Sequence, residues 1–321
     1  MFISILLAII GLGLIILGAH ILVDGSSSLA KKYNVSNIVI GLTVVAFGTS
    51  TPEMVVSIYA AITKNADIAI GNAIGSKIFN IFGILGISAL IFPMTVLGNT
   101  VFKEIPMSLL AAVVLTILLN DIFFQNGSAD ILSRSESIVF LLFFAIFLYY
   151  IFHLIKNSKD DEQLNIKIMS KLKSILWIGA GIIGLVIGGK LFVDQIMNVA
   201  LSFGISQSVL GLTVVAVGTS LPELATSVVA AYKKNSDIAV GNVVGSNIFN
   251  IFFILGVSGT IYPLPIGNIT NIDLFVCCGA SILLYFFSLY MGKLKIGRAE
   301  GLFLLICYFL YLGFQISQLD N

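Results

Sequence analysis

Charge is the scarcest property of this 321-residue chain. Only 10% of its residues are Asp, Glu, Lys or Arg, where a soluble globular chain carries roughly 25%, so there are too few to coat a water-facing surface. The 17 basic residues nearly cancel the 16 acidic ones, which leaves no basic face for nucleic acid. Cysteine is nearly absent as well. Cys277, Cys278 and Cys307 all fall inside apolar runs and form neither a redox nor a zinc pattern. The only histidines are His20 and His153. No HExxH, Ser/His pair or paired aspartates occur within the apolar stretches, which argues against an intramembrane enzyme. Hydrophilic sequence of any length is confined to about 157–172, too short to fold as a regulatory domain.

What the chain has in abundance is apolar sequence: 58% of residues, with a mean hydropathy of +1.06. Ten apolar stretches lie at about 2–22, 37–62, 67–91, 102–120, 136–155, 173–193, 207–232, 237–262, 272–291 and 299–317. A helix crosses a hydrocarbon core with roughly 20 residues. The expected fold class is therefore an all-α polytopic membrane protein with ten transmembrane helices. The first stretch has no basic start and no small-residue cleavage site, so it is expected to remain as a helix and not to be a signal peptide. With an external N-terminus, thirteen Lys and Arg fall in cytoplasmic loops, against Lys64 and Arg134 outside and Lys77 and Lys190 within spans. That bias places both termini outside.

A gap-free offset of 170 aligns Gly41–Ser88 with Gly211–Ser258, and 32 of the 48 positions are identical. The register extends upstream to Asp24 and Asp194, and downstream to Pro93 and Pro263. Five spans separate corresponding helices, and five is odd, so the copies cross the membrane in opposite directions. The expected organisation is a five-helix repeat over 1–156, a cytoplasmic linker over 157–172, and a second, inverted five-helix repeat over 173–321. Secondary transporters built this way hold their substrate near mid-membrane, where the repeats meet.

The identical positions include the polar ones. Pro52 and Pro222 cannot donate to the carbonyls of Gly48 and Gly218. Each helix should therefore be interrupted in mid-span, with freed carbonyls tolerable only where they line a cavity or bind an ion. Glu53 and Glu223 follow the prolines at a depth where an uncompensated acid costs about 2.5–3.5 kcal/mol. Thr49, Glu53 and Ser57 share one helical face, with Ser50 beside them. Thr219, Ser220, Glu223 and Ser227 repeat the pattern. Asn72, Ser76 and Asn80 form a second stripe, matched by Asn242, Ser246 and Asn250. This all-oxygen set suits hard cations, and calcium takes six to eight oxygens. Two carboxylates neutralise one divalent ion, and sharing the same oxygens among sodium ions would couple the two fluxes.

Other residues read more plainly. Ser57, Ser227, Asn72 and Asn242 equally suit interhelical hydrogen bonding. Asp24 and Asp194 lie at span ends as caps or interfacial groups, Asp67 and Asp237 read as N-caps, and the histidines read as interfacial. Lys77 stands where the second copy has Asn247. It either snorkels, pairs with an acid, or sets a fixed positive charge beside the pocket.

At GTSTPE…GNAIGSKIFN and GTSLPE…GNVVGSNIFN the chain resembles the cation/calcium exchanger superfamily, and most closely the prokaryotic sodium/calcium exchangers. The resemblance implies four core helices around the ions, with spans one and six sliding against them during alternating access. It also implies electrogenic exchange of sodium for calcium. Carried over by position, the ligands are Glu53 and Glu223, Thr49 and Thr219, Ser50 and Ser220, Ser76 and Ser246, and Asn80 and Asn250. Some relatives carry an acid where Asn250 stands, which tilts the reading against potassium co-transport and proton coupling. The expected protein is thus an antiporter of sodium and calcium in the cytoplasmic membrane of a prokaryote. It needs no cofactor and works as a monomer. A proton/calcium exchanger, a potassium-dependent exchanger and, more remotely, a cation channel are the alternatives.

Overall fold

A hydrocarbon environment offers the backbone no partners, so every peptide group must be satisfied inside its own segment. Long helices follow. In this computed structural model the described residues are 2–125, 129–157, 168–202, 216–267, 270–291 and 294–319. The first half holds α1 (Phe2–Tyr33), α2 (Asn37–Thr49), α3 (Thr51–Ile62), α4 (Ala66–Ile91), α5 (Thr100–Leu118), the short α6 (Asp121–Gln125) and α7 (Arg134–Asn157). The second half holds α8 (Lys171–Ser202), α9 (Ala216–Thr219), α10 (Leu221–Tyr232), α11 (Ser236–Ile261), α12 (Asn271–Leu289) and α13 (Arg298–Leu319). Eight of these are long and apolar enough to cross a membrane, and α2 with α3, bent by 50°, makes a ninth. The expected seventh span, 207–232, is described only from Ala216 onward. Residues 203–215, with the start of the second motif copy, and 158–167 of the linker lie outside the described residues.

Two helices form the centre. In α11, 94% of the most apolar window is buried, and in α4 78%, against 17% in α7 and in α13. The outer helices expose large apolar side chains instead, such as Tyr149, Phe152, Phe309 and Leu310. On a multi-pass membrane protein, lipid covers such a face.

α1 runs past residue 22, where its apolar stretch ends, to Tyr33. Asp24 therefore lies within the helix and not at its end. Lys233 Nζ reaches it at 2.6 Å and also donates to the His20 carbonyl at 3.3 Å, which makes the acid tolerable there. α8 is equally long, and Asp194 is likewise internal. The expected caps also shift by two residues. Asn65 and Asn235 precede α4 and α11, and Asn235 accepts from Ile238 N at 3.2 Å. Asp67 instead accepts from Gly267 N at 2.9 Å.

α1 and α8 lie against each other through small residues at seven-residue spacing. Gly11 meets Gly188, Gly18 meets Gly181, and Gly25 meets Ser174. As one helix ascends in number the other descends, so the pair is antiparallel. A Cβ on Gly181 would fall 2.7 Å from Leu22 N and 2.8 Å from the Gly18 carbonyl, and backbone cannot yield as a side-chain tip can. Gly181→Val is expected to cost about 1–3 kcal/mol through overpacking. That loss is read as a lower melting temperature in detergent. Gly13→Val, where nothing lies within 4 Å, should leave it unchanged.

Four two-residue strands, β1 (Met94–Thr95), β2 (Ile131–Leu132), β3 (Leu264–Pro265) and β4 (Lys295–Ile296), form antiparallel pairs, β1 with β4 and β2 with β3. Each pair ties a loop of one half to a loop of the other.

Candidate functional site

The break in the second span centres on Ser50 (φ −80°, ψ 9°), and its counterpart on Ser220 (φ −89°, ψ 8°). The prolines then fall in the first turn of α3 and α10, where a missing N–H costs nothing. Glu53 and Glu223 fall in the same first turns, where the positive end of a helix favours a carboxylate. The proline thus does two things at once: it stops one helix and sets the acid at the mouth of the next. Asn80 and Asn250 sit in wide π-helical turns, Phe79–Leu85 and Phe249–Leu255. Such turns re-aim side chains and are frequent at functional sites. No residue pattern announces these turns.

Nearly every polar bond made by one repeat across this centre is answered by the other. Ser50 Oγ donates to Glu223 Oε1 at 2.7 Å, and Ser220 Oγ donates to Glu53 Oε1 at 2.9 Å. The same serines reach Ser246 at 2.9 Å and Ser76 at 3.1 Å. Thr49 donates to Asn242 Oδ1 at 3.0 Å, and Thr219 to Asn72 Oδ1 at 3.3 Å. Asn72 Nδ2 then donates to the Glu53 carbonyl at 3.2 Å and to Ser57 at 2.9 Å; Asn242 does the same with the Glu223 carbonyl and Ser227 at identical distances. These bonds bring together eight of the ten residues expected to form the site, all but Asn80 and Asn250. Nine of the ten are at most 1% exposed, and Thr219 is partly buried.

Ser57, Ser227, Asn72 and Asn242 prove to hold the glutamate-bearing turns in position, through bonds that join α3 to α4 and α10 to α11. Their i, i+4 spacing was the available signal.

Several oxygens at this centre have no hydrogen-bond partner: Glu53 Oε2, Glu223 Oε2, Asn80 Oδ1 and Asn250 Oδ1. Neither glutamate has a Lys or Arg partner among the described residues. Two buried carboxylates in that state cost several kcal/mol unless a cation offsets them. The donor set is carboxylate, hydroxyl and amide oxygen, and no group of three or more His, Cys, Asp or Glu occurs among the described residues. That chemistry fits calcium or sodium and not a softer metal.

The symmetry fails at one position. Asn80 Nδ2 donates to Asn247 Oδ1 at 3.0 Å. The mirrored bond, from Asn250 to position 77, does not form because that position is Lys77. Its Nζ turns to Ser108 on α5, donating to the carbonyl at 2.5 Å and the hydroxyl at 3.0 Å. Lys77 is completely buried. It does not snorkel, and among the described residues it meets no acid. Both ends of the Asn250 amide are left without a partner.

Comparison with known proteins agrees with this architecture. The family model described as "Sodium/calcium exchanger protein" matches residues 3–153 and 173–317. The chain is 37% identical over 324 residues to the putative antiporter CaxA of Alkalimonas amylolytica, covering 98% of each chain. It is 33% identical to the sodium/calcium exchanger MaX1 of Methanosarcina acetivorans, covering 97% of each. Among solved structures it matches the sodium-calcium exchanger NCX_Mj, soaked with sodium and strontium, with a TM-score of 0.83 and 36% identity over 97% of this chain and 98% of that one. From the two motif copies, the crossed bonds between them and these matches, the chain belongs to the sodium/calcium exchanger family, as a multi-pass membrane protein that moves ions.

Proposed function

We propose that this protein is an antiporter that exchanges sodium for calcium by alternating access, extruding calcium and moving net charge. The observation that carries the proposal is the pair of buried glutamates, each held by the other repeat's serine through one oxygen and presenting the second oxygen without a partner. Glu53, Glu223, Thr49 and Thr219 are the calcium ligands in this reading. Ser50, Ser220, Ser76, Ser246, Asn80 and Asn250 complete the shells of the sodium ions that replace it. Sodium coupling is favoured over proton or potassium coupling because position 250 is an amide and not an acid.

The reading includes ten helices as two inverted five-helix repeats, 1–156 and 173–321, joined by the 157–172 linker. Antiparallel packing of α1 and α8 supports the inversion, since these are corresponding helices of the two halves. The distribution of Lys and Arg supports external termini. A prokaryotic cell membrane is the expected location, and one chain holds a full ligand set, so a monomer suffices.

The test is calcium uptake into proteoliposomes loaded with sodium and diluted into sodium-free medium. Uptake should require internal sodium and be enhanced by a valinomycin-imposed potential of the favourable sign. Uptake indifferent to sodium but driven by a pH gradient would replace this reading with proton/calcium exchange. Calcium flux needing no ion on the opposite side would replace it with a channel.

A further inference from the structure

The two halves repeat one another at an offset of 170, yet they do not sit alike against α1 and α8. α1 packs along α10 and bonds to the turn 233–235 that follows it. The corresponding contact, α8 with α3, is almost absent among the described residues. Burial follows the same division. Asn235 is 4% exposed, with Ser236 and Asp237 buried beside it, whereas Lys64 and Asn65 of the matching turn stand in the open. The turns themselves are alike, since Lys64 and Lys234 have positive φ of 60° and 59°. The difference lies in what α1 and α8 bring to them.

Three bonds join α1 to the turn after α10. Lys233 Nζ pairs with Asp24 at 2.6 Å and donates to the His20 carbonyl at 3.3 Å, and Asn235 Nδ2 donates to Ser27 Oγ at 3.2 Å. The ion pair is partly exposed, so by itself it is weak. The bond from Asn235 to Ser27 is buried, and a buried polar group stripped of its partner is costly. The other half cannot copy either one. The counterparts of Lys233 and Ser27 are Thr63 and Met197. Thr63 has no charge to offer Asp194, and Met197 has no oxygen to accept from Asn65. Thr63 turns back on its own helix, donating to the Tyr59 carbonyl at 2.9 Å.

In the topology proposed above, α10 and the turn 233–235 form the cytoplasmic half of their span, and α3 with 63–65 the external half of theirs. Alternating access then requires α1 and α8 to leave the first contact and close the second. That move breaks three polar bonds, and the matching residues outside return neither the ion pair nor the buried bond. We infer that Lys233, Asp24, Asn235 and Ser27 form a one-sided latch, which closes the cytoplasmic side and biases the ion-free protein toward its outward-open form. The inference rests on the alternating-access reading above. An ion arriving from the cytoplasm meets its binding form at only a fraction of the population, and binds correspondingly more weakly.

The test is hydrogen–deuterium exchange mass spectrometry of the full chain in lipid nanodiscs, free of sodium and calcium. Lys233→Met and Ser27→Ala should each speed deuterium uptake across 221–238 about threefold, the scale of one weak polar contact, with α7 unchanged. Swapping the charges, Asp24→Lys with Lys233→Asp, should restore the original rates. Thr63→Lys, at the external end of α3, offers Asp194 the partner it lacks. It should also speed 221–238 about threefold, an effect lost when Asp194→Asn is added. Unchanged rates in Lys233→Met, acceleration that spreads to α7, or an effect of Thr63→Lys confined to its own turn would each overturn the latch. Deuterium uptake needs no transport, so the latch and the exchange reading fail separately, the first by these amides and the second by the sodium-driven calcium flux.

Discussion

Glu53→Gln and Glu223→Gln are each expected to lower calcium affinity by at least a hundredfold and to abolish sodium-driven calcium uptake, with little loss of folded protein. Each variant leaves one carboxylate facing a divalent ion at a site with no other anionic group. Losing one partner of a buried charge pair costs about 3–5 kcal/mol, and every 1.4 kcal/mol is a factor of ten in affinity. The fold should tolerate the change because glutamine keeps the oxygen that accepts from Ser220 or Ser50 at 2.9 or 2.7 Å. Isothermal titration with calcium, alongside a detergent melt of each variant, checks both halves of the expectation. Calcium affinity within threefold of the original in either variant would remove that glutamate from the site.

The second large effect is expected at Lys77. Two like unit charges about 10 Å apart at an effective dielectric of about 20 repel by about 1.7 kcal/mol, and a divalent ion is repelled by about twice that; a buried ammonium one residue from Ser76 falls in this range. Lys77→Met removes the charge and keeps most of the stem, so it should tighten sodium binding by roughly tenfold and calcium by more. Lys77→Asn removes the charge and also restores a partner of the kind Asn247 provides for Asn80, so it reports on Asn250 as well. Equilibrium binding of both ions to the three proteins separates these contributions. If Lys77→Met binds calcium and sodium as the original does, the Lys77 charge has no influence on the site. If only Lys77→Asn differs, the effect belongs to the orientation of Asn250.

The centre of the molecule was legible in the sequence because it is written twice. The offset of 170 placed Glu53 against Glu223 and Ser50 against Ser220, and the crossed bonds follow from that register. Harder to read were features that depend on distant partners. α1 continues through Asp24, whose half-exposed carboxylate meets Lys233, more than two hundred residues away; hydropathy alone ends the span earlier. Asn65 and Asn235 displace the aspartates as caps, and Asp67 is drawn to a loop of the other half. The glycines of α1 and α8 keep a seven-residue spacing, but their meaning appears only when the two helices are laid side by side. Lys77 was recognisable as an exception, yet Ser108 could not be named from spacing, since α5 lies outside the aligned segments.

The exchanged serine bonds have a consequence for how such a chain is assembled and for how it arose. Neither half contains a finished site, since each supplies an acid whose hydroxyl donor is carried by the other. Two polypeptides divided within 157–172 should therefore bind calcium only when produced together, and only if they insert in opposite senses. A single ancestral half able to insert either way up would have met the same requirement by pairing with its own inverted copy. Joining two such genes end to end would then have made permanent an arrangement that insertion had previously left to chance.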